Sequence, residues 1–255
     1  MGEAMVIDSL AADMKELLEN LMGEMISLGG GAVVREHIVY KLLNRDLNRE
    51  LLGILPHRDF LDLAIVYSIA RADGNRMGAI LVNDMLAEKL GLDEEDLWEL
   101  ARENTPRLFP AQNVKISDFL GIDTEQDRLM QAMTNSCSAY GAGVVLYPGV
   151  LEQQYEAFGC DYYILPSSVH EVILLPDRGG IGPDVLAEMV GSINDGMVAP
   201  KELLSYSVYR YELGRGMFIA KEVRLDEGKI RELTGCMERE KEACGQEGTG
   251  ESESD

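Results

Sequence analysis

The chain has 255 residues, of which 45 are acidic and 23 basic, for a net charge of −22, and 46% of it is apolar. That length and apolar fraction support one large domain or two small ones around a real core. With no cationic surplus, sequence-independent nucleic-acid binding and attachment to anionic membranes are disfavoured. The cysteines Cys137, Cys160, Cys236 and Cys244 form no C-x-x-C pair, and nothing N-terminal resembles a signal peptide. A reducing cytoplasm is the expected compartment. No apolar run approaches the roughly 18 residues of a bilayer span, so a soluble protein is expected.

In chain order, Met5 to Leu28 places Ile7, Leu10, Met14, Leu17, Leu21, Met25 and Leu28 at steps of three and four, an amphipathic helix. Gly29, Gly30 and Gly31 end it as a hinge. Ile38 to Leu43 reads as a strand, NRDLNRELLG as a short helix, Phe60 to Ile69 and Gly78 to Val82 as strands. Asp84 to Leu90 and Asp93 to Glu103 read as helices, the second with an acidic first turn that suits its dipole and with Pro106 and Pro110 as stops. Ala111 to Asn135 shows no sustained period and reads as a connector. VVLY after Gly143 reads as a strand and Val150 to Phe158 as a helix. Tyr162 to Leu165 and Val172 to Leu175 form a central hairpin covered on both faces. Pro183 opens a helix to about Ile193. Ser207 to Tyr211 is the last strand, and beyond Val223 the charged sequence reads as a mobile tail.

The expected fold is α/β or α+β, with a mixed, largely buried β-sheet and packed helices. Its parts are an N-terminal helix and hinge (1–31), a first αβ lobe (32–110), a connector (111–135), a second αβ lobe (136–222) and a charged, disordered acidic tail (223–255). GAILVNDML from Gly78 and GVVLYPGVL from Gly143 share a glycine, a strand, a break and a leucine. Duplication of an αβ unit and coincidence both remain open.

The phrases HIVYKLLN, LPHRDFLDLAIVYSI, ENTPRLFP and DYYILPSSVHEVILLP carry a resemblance. Over about Arg35 to Tyr211 the chain resembles a bacterial family known as domain of unknown function 5688. That resemblance implies no activity, cofactor or catalytic residue. Members usually carry further sequence before the matched region, which implies a shortened first lobe or a gene start placed late.

Few residues suggest chemistry. His57, Arg58 and Asp59 spell the HRD of a kinase catalytic loop, but Ala64 stands where the metal-binding Asn belongs and no DFG follows. A polar turn is the expected role. Ser167, His170 and Glu171, with Ser168, contain a hydroxyl, a base and a carboxylate, but groups so close in one connection rarely align as a triad and no G-x-S-x-G elbow exists. Turn hydroxyls are the alternative. The histidines His37, His57 and His170 lack ligand spacing, so neither a metal nor a cofactor is expected. Asn104 and Thr105 are expected to cap a helix end, with Arg107 paired to acid; anion recognition by that segment is the competing reading, and His57, Arg58, Asn104 and Arg107 are the candidate residues for binding an unspecified ligand.

The function expected is a non-enzymatic binding or regulatory module. One alternative is a hydrolase using His170 with Ser167 or a carboxylate. Another is an assembly protein acting through Met5 to Leu28, which is also where a protein partner or a second copy would meet the chain.

Overall fold

The computed structural model describes residues 34–73, 76–115, 130–166 and 168–246. The Met5 to Leu28 helix and Gly29 to Gly31, Ser167 and the last nine residues of the tail lie outside them. Two antiparallel sheets carry the fold. The first has β1 (Ile38–Asn44), β2 (His57–Phe60), β3 (Leu63–Asp73) and β4 (Arg76–Leu81). β1 runs along one edge of the long β3, while β2 and β4 share its other edge.

The second sheet has six strands in the order β10-β9-β7-β8-β6-β5. They are β5 (Ala111–Lys115), β6 (Gln131–Asn135), β7 (Tyr162–Leu165), β8 (Val172–Pro176), β9 (Val208–Glu212) and β10 (Gly216–Lys221). β7 and β8 pair as the hairpin expected from their apolar runs. β7 is buried at every position, whereas β8 alternates, with Ile173 and Leu175 only half-buried. All ladders among the described residues are antiparallel, so the mixture is of helices and strands, not of strand directions.

The helices are α1 (Arg49–Leu52), α2 (Asp84–Leu90), α3 (Glu94–Leu108), α4 (Val150–Phe158), α5 (Pro183–Met197) and α6 (Glu227–Gln246). α2 has the boundaries its sequence requires. Asn83 accepts from the Leu86 N–H at its start, and Gly91 closes it at φ 63°, in the left-handed region that glycine reaches freely. α3 begins with a capping box in which Asp93 and Asp96 exchange side-chain to backbone bonds. One apolar core joins the sheets: Ile38, Leu42 and Tyr67 from the first pack in the same cluster as Ile164, Leu174 and Tyr209 from the second. On the outer face of the second sheet, Leu186 and Val190 of α5 cover Tyr163, Leu165 and Val208.

Several sequence expectations are corrected. VVLY is not a strand: Gly141–Leu146 forms a buried 3-10 helix, so the segments from Gly78 and Gly143 have different local structures. A short apolar run bounded by glycine is equally compatible with a buried helix turn. Pro106 does not stop α3, which continues to Leu108. The Thr105 hydroxyl donates to the Ala101 carbonyl and accepts the Tyr40 N–H, and this docking on β1 holds the helix past the proline. His57 to Asp59 are not a turn but strand β2, and the reversal falls at Leu61 and Asp62, where Leu61 takes φ 55°. The supposed connector supplies β6, paired with β8, and the edge strand β5 beside it. Where a mobile tail was expected from residue 223, α6 forms and buries Ile230 and Leu233 against Leu47, Leu203 and Tyr206.

Candidate functional site

The residues singled out from sequence mostly make bonds to other parts of the chain. Arg58 donates twice to Glu94 and once to Glu95 and lies 5.2 Å from the Trp98 ring, clamping β2 to the start of α3. Tyr67 donates to the same Glu94 carboxylate. Burial raises the Glu94 carboxyl, but the bonds from Arg58 and Tyr67 outweigh it and hold the group below its ordinary range. Asn104 donates to the Arg35 and Ile38 carbonyls, and Arg107 bonds the Glu36 carbonyl and the Asn104 side chain. These bonds fix the entry to β1. Arg107 therefore serves the Glu36 carbonyl and the Asn104 side chain, not the acid expected for it. His57 is exposed, with Nδ1 2.9 Å from the Leu55 carbonyl. Among the described residues no hydrogen bond or ion pair joins His57, Arg107 and His170.

The 166–171 connection is not a tight turn. Val169 N–H donates to the Glu202 carbonyl, Ser205 N–H to the Pro166 carbonyl, and Ser168 bridges to Leu203. The Ser168 hydroxyl accepts the main-chain N–H of His170. Nδ1 of His170 accepts the Tyr140 N–H at 3.2 Å, leaving the proton on Nε2, 3.7 Å from Glu202. Burial raises the Glu171 carboxyl despite the bond from Ser168 and the nearby His170. The ring therefore braces the Tyr140 loop.

Two polar sites that the sequence reading passed over are built where the sheets meet. The first is a cleft of about 290 Å³. Its floor is Asp62, in the strained Leu61 turn. Ser205 and Ser207 donate to its Oδ2 at 2.6 and 2.9 Å, and Tyr209 to its Oδ1 at 2.5 Å. Those donors are 0%, 0% and 1% exposed, so this carboxylate binds the first sheet's turn to the entry of β9. Burial, then the Asp62 charge, push the Tyr209 phenol well up. Around this floor stand Arg45, Arg49 and Arg224. Each has an acidic partner: Arg45 with Asp59, Arg49 with Asp46 and Glu227, Arg224 with Glu222. The arginine side chains are 41%, 52% and 81% exposed, so these pairs are weak and exchangeable.

The second site centres on Lys41. Its Nζ stands 4.1 Å from the Tyr140 ring centroid, and that ring lies 5.6 Å from the ring of His170. The loop that carries Tyr140 holds two non-glycine residues at positive φ, Ser138 at 51° and Tyr140 at 52°. Conformations of this kind cost on the order of 1 kcal/mol each and collect at functional sites. Gly141 ends the loop against a wall: a Cβ there would lie 2.1 Å from Thr134 Oγ1 and 2.5 Å from the His170 carbonyl. No group of three or more metal-ligating side chains occurs among the described residues, and none of their helices is long and apolar enough to cross a membrane.

No curated protein and no solved structure matches the chain. The model of a family of unknown function (DUF5688) matches residues 5–213, and the chain belongs to that family.

Proposed function

We propose that this member of the family is a binding module whose ligand is a small molecule with an anionic group, held in the cleft above Asp62. The observation that carries this reading is the gathering of Arg45, Arg49 and Arg224 around one ligand-sized cleft in a chain of net charge −22. A field of that sign repels anions; Asp46, Asp62 and Glu222 also line this cleft, which is therefore balanced in charge, and an anion would bind by displacing the exposed acidic partners of the arginines. Guanidinium forks match carboxylate and phosphate oxygens, and their present exposed pairings contribute little and can be traded. The buried Asp62 network keeps the floor rigid, which lowers the ordering cost of binding.

Binding without turnover fits the site better than hydrolysis. Ser205 is fully buried and already committed to Asp62, and His170 lies in a separate network. The acidic balance supports neither nucleic acid nor an anionic membrane as the target. Cys137, Cys160 and Cys236 are free thiols, which supports the cytoplasm as the compartment. The 5–28 stripe remains the segment we would assign to a protein partner or a second copy.

The test is thermal unfolding with inorganic phosphate, citrate and a nucleoside monophosphate, each against sodium chloride of equal ionic strength. A ligand at 100 times its Kd raises stability by about 2.7 kcal/mol. At least one anion is expected to raise the midpoint in the wild type and to lose that effect in Arg45→Gln/Arg49→Gln. Midpoints that follow ionic strength alone for all three anions would sink the proposal.

A further inference from the structure

Lys41 interrupts β1 between buried Tyr40 and Leu42. The register sets Val39 opposite Ser68 and Lys41 opposite Val66, so Lys41 and Ser68 are diagonal neighbours on one face of the sheet. Both line a small pocket walled by Val39, Phe109, Ala139 and Tyr140. It measures about 20 Å³, room for a single water-sized group.

Two features of this pocket have no use in the fold. Ser68 is 2% exposed, yet its Oγ has no hydrogen-bond partner. A buried hydroxyl without a partner is costly, and it stands beside the lysine it could serve. The Lys41 amine, in turn, has a ring face and no carboxylate among the described residues as its neighbour. The apolar walls penalise its charged form more than the Tyr140 face favours it, and burial brings its pKa down to about 8.

We propose that Lys41 is a nucleophilic amine that captures small aldehydes or ketones as an imine, with Ser68 holding the carbonyl oxygen. The neutral amine, its proton already lost to solvent, adds its lone pair to the carbonyl carbon, and the C=O electron pair moves to oxygen. One proton passes from nitrogen to that oxygen to give a carbinolamine. The hydroxyl group then leaves as water, taking the second nitrogen proton, as the C=N bond forms. An amine and a carbonyl compound thus give an imine and water, with no oxidant or reductant. The orphan Ser68 hydroxyl donates to the oxygen while it carries the displaced pair, and the narrow pocket favours short carbonyl compounds.

Propanal with cyanoborohydride is the probe, since reduction fixes any imine as a secondary amine that peptide mass spectrometry can assign. At pH 7.5 Lys41 in the intact protein is expected to label at least about tenfold faster than the chain's other lysines. Its labelling rate in the wild type should rise with pH around a midpoint near 8. The other titrating groups facing it are the phenols of Tyr40 and Tyr140, with His170 behind Tyr140. Ser68→Ala should slow Lys41 labelling severalfold, and Lys41→Arg should lose the fast site while keeping its folded circular dichroism spectrum. Labelling of Lys41 at the rate of the surface lysines, or a Ser68→Ala rate equal to wild type, overturns the proposal. If Ser68→Ala does not fold, the wild-type rate comparison and pH profile decide it alone.

Discussion

Replacing Asp62 by alanine removes the acceptor that ties the two sheets together, and its cost can be worked from the geometry. Three hydroxyl donors, on Ser205, Ser207 and Tyr209, would lose their partner inside a region that is 0–1% exposed. A hydrogen bond to a charged acceptor contributes about 1.5–3 kcal/mol, and an orphaned buried donor costs its desolvation. Taking the lower figure for each, and allowing for the desolvation that the absent carboxylate no longer suffers, Asp62→Ala should cost about 4 kcal/mol. That is a large part of the 5–15 kcal/mol typical of a domain. Equilibrium urea unfolding measures it, read at constant m so that the change belongs to the native state. Combining Asp62→Ala with Tyr209→Phe should give a coupling of about 1–2 kcal/mol, because each change removes the same bond. An Asp62→Ala protein within about 1 kcal/mol of wild type at unchanged m would refute the reasoning.

Two further predictions follow from packing and charge. Gly141→Ala should destabilise by about 3 kcal/mol or fail to accumulate as folded protein, since its Cβ would overlap Thr134 Oγ1, the His170 carbonyl and the Asn135 N–H; a normal melting temperature would contradict this. Glu94 has its folded pKa held below the unfolded value, so its contribution is complete above roughly pH 4.3 and disappears as the pH falls through the folded value. Glu94→Gln should therefore be less stable than wild type at neutral pH and lose part of the acid-limb slope between about pH 5 and pH 3, as read from urea midpoints at stepped pH.

What was legible in the sequence was local. Asn83 and Gly91 bracket α2 because capping acts within one turn, and the apolar run of β7 announces a strand covered on both faces. The misread elements are those where a distant contact decides. VVLY could lie in a strand or a buried helix, and contact with Tyr40 from β1 settles that. Leu61 and Asp62 lack the glycine or asparagine of a tight hairpin turn. The turn forms there because Ser205, Ser207 and Tyr209, some 143 to 147 residues later, hold the carboxylate. For the same reason the cleft could not be read from its parts. Lys41, by contrast, left a signal: a lone charge inside IVYKLL, amid positions that are otherwise buried. α6 also left one, with Asp226 accepting the Lys229 N–H at its start and Ile230, Leu233 and Met237 at steps of three and four.

The cleft's outer wall, Glu222 to Leu225, lies beyond residue 213, where the family match stops. It is held by the start of α6, through Ile230 and Leu233 on the surface of Leu47, Leu203 and Tyr206, and through the exposed pairs Arg49–Glu227 and Lys229–Asp195. Detaching that helix would expose these few contacts and leave every strand ladder of β1 to β9 intact. Amide exchange should therefore find α6 opening at a lower free energy than the Asp62 floor, and ligand exit should follow the rate of that opening. Salt, by weakening the two exposed pairs, should shorten residence time in the cleft even at equal occupancy of the arginines.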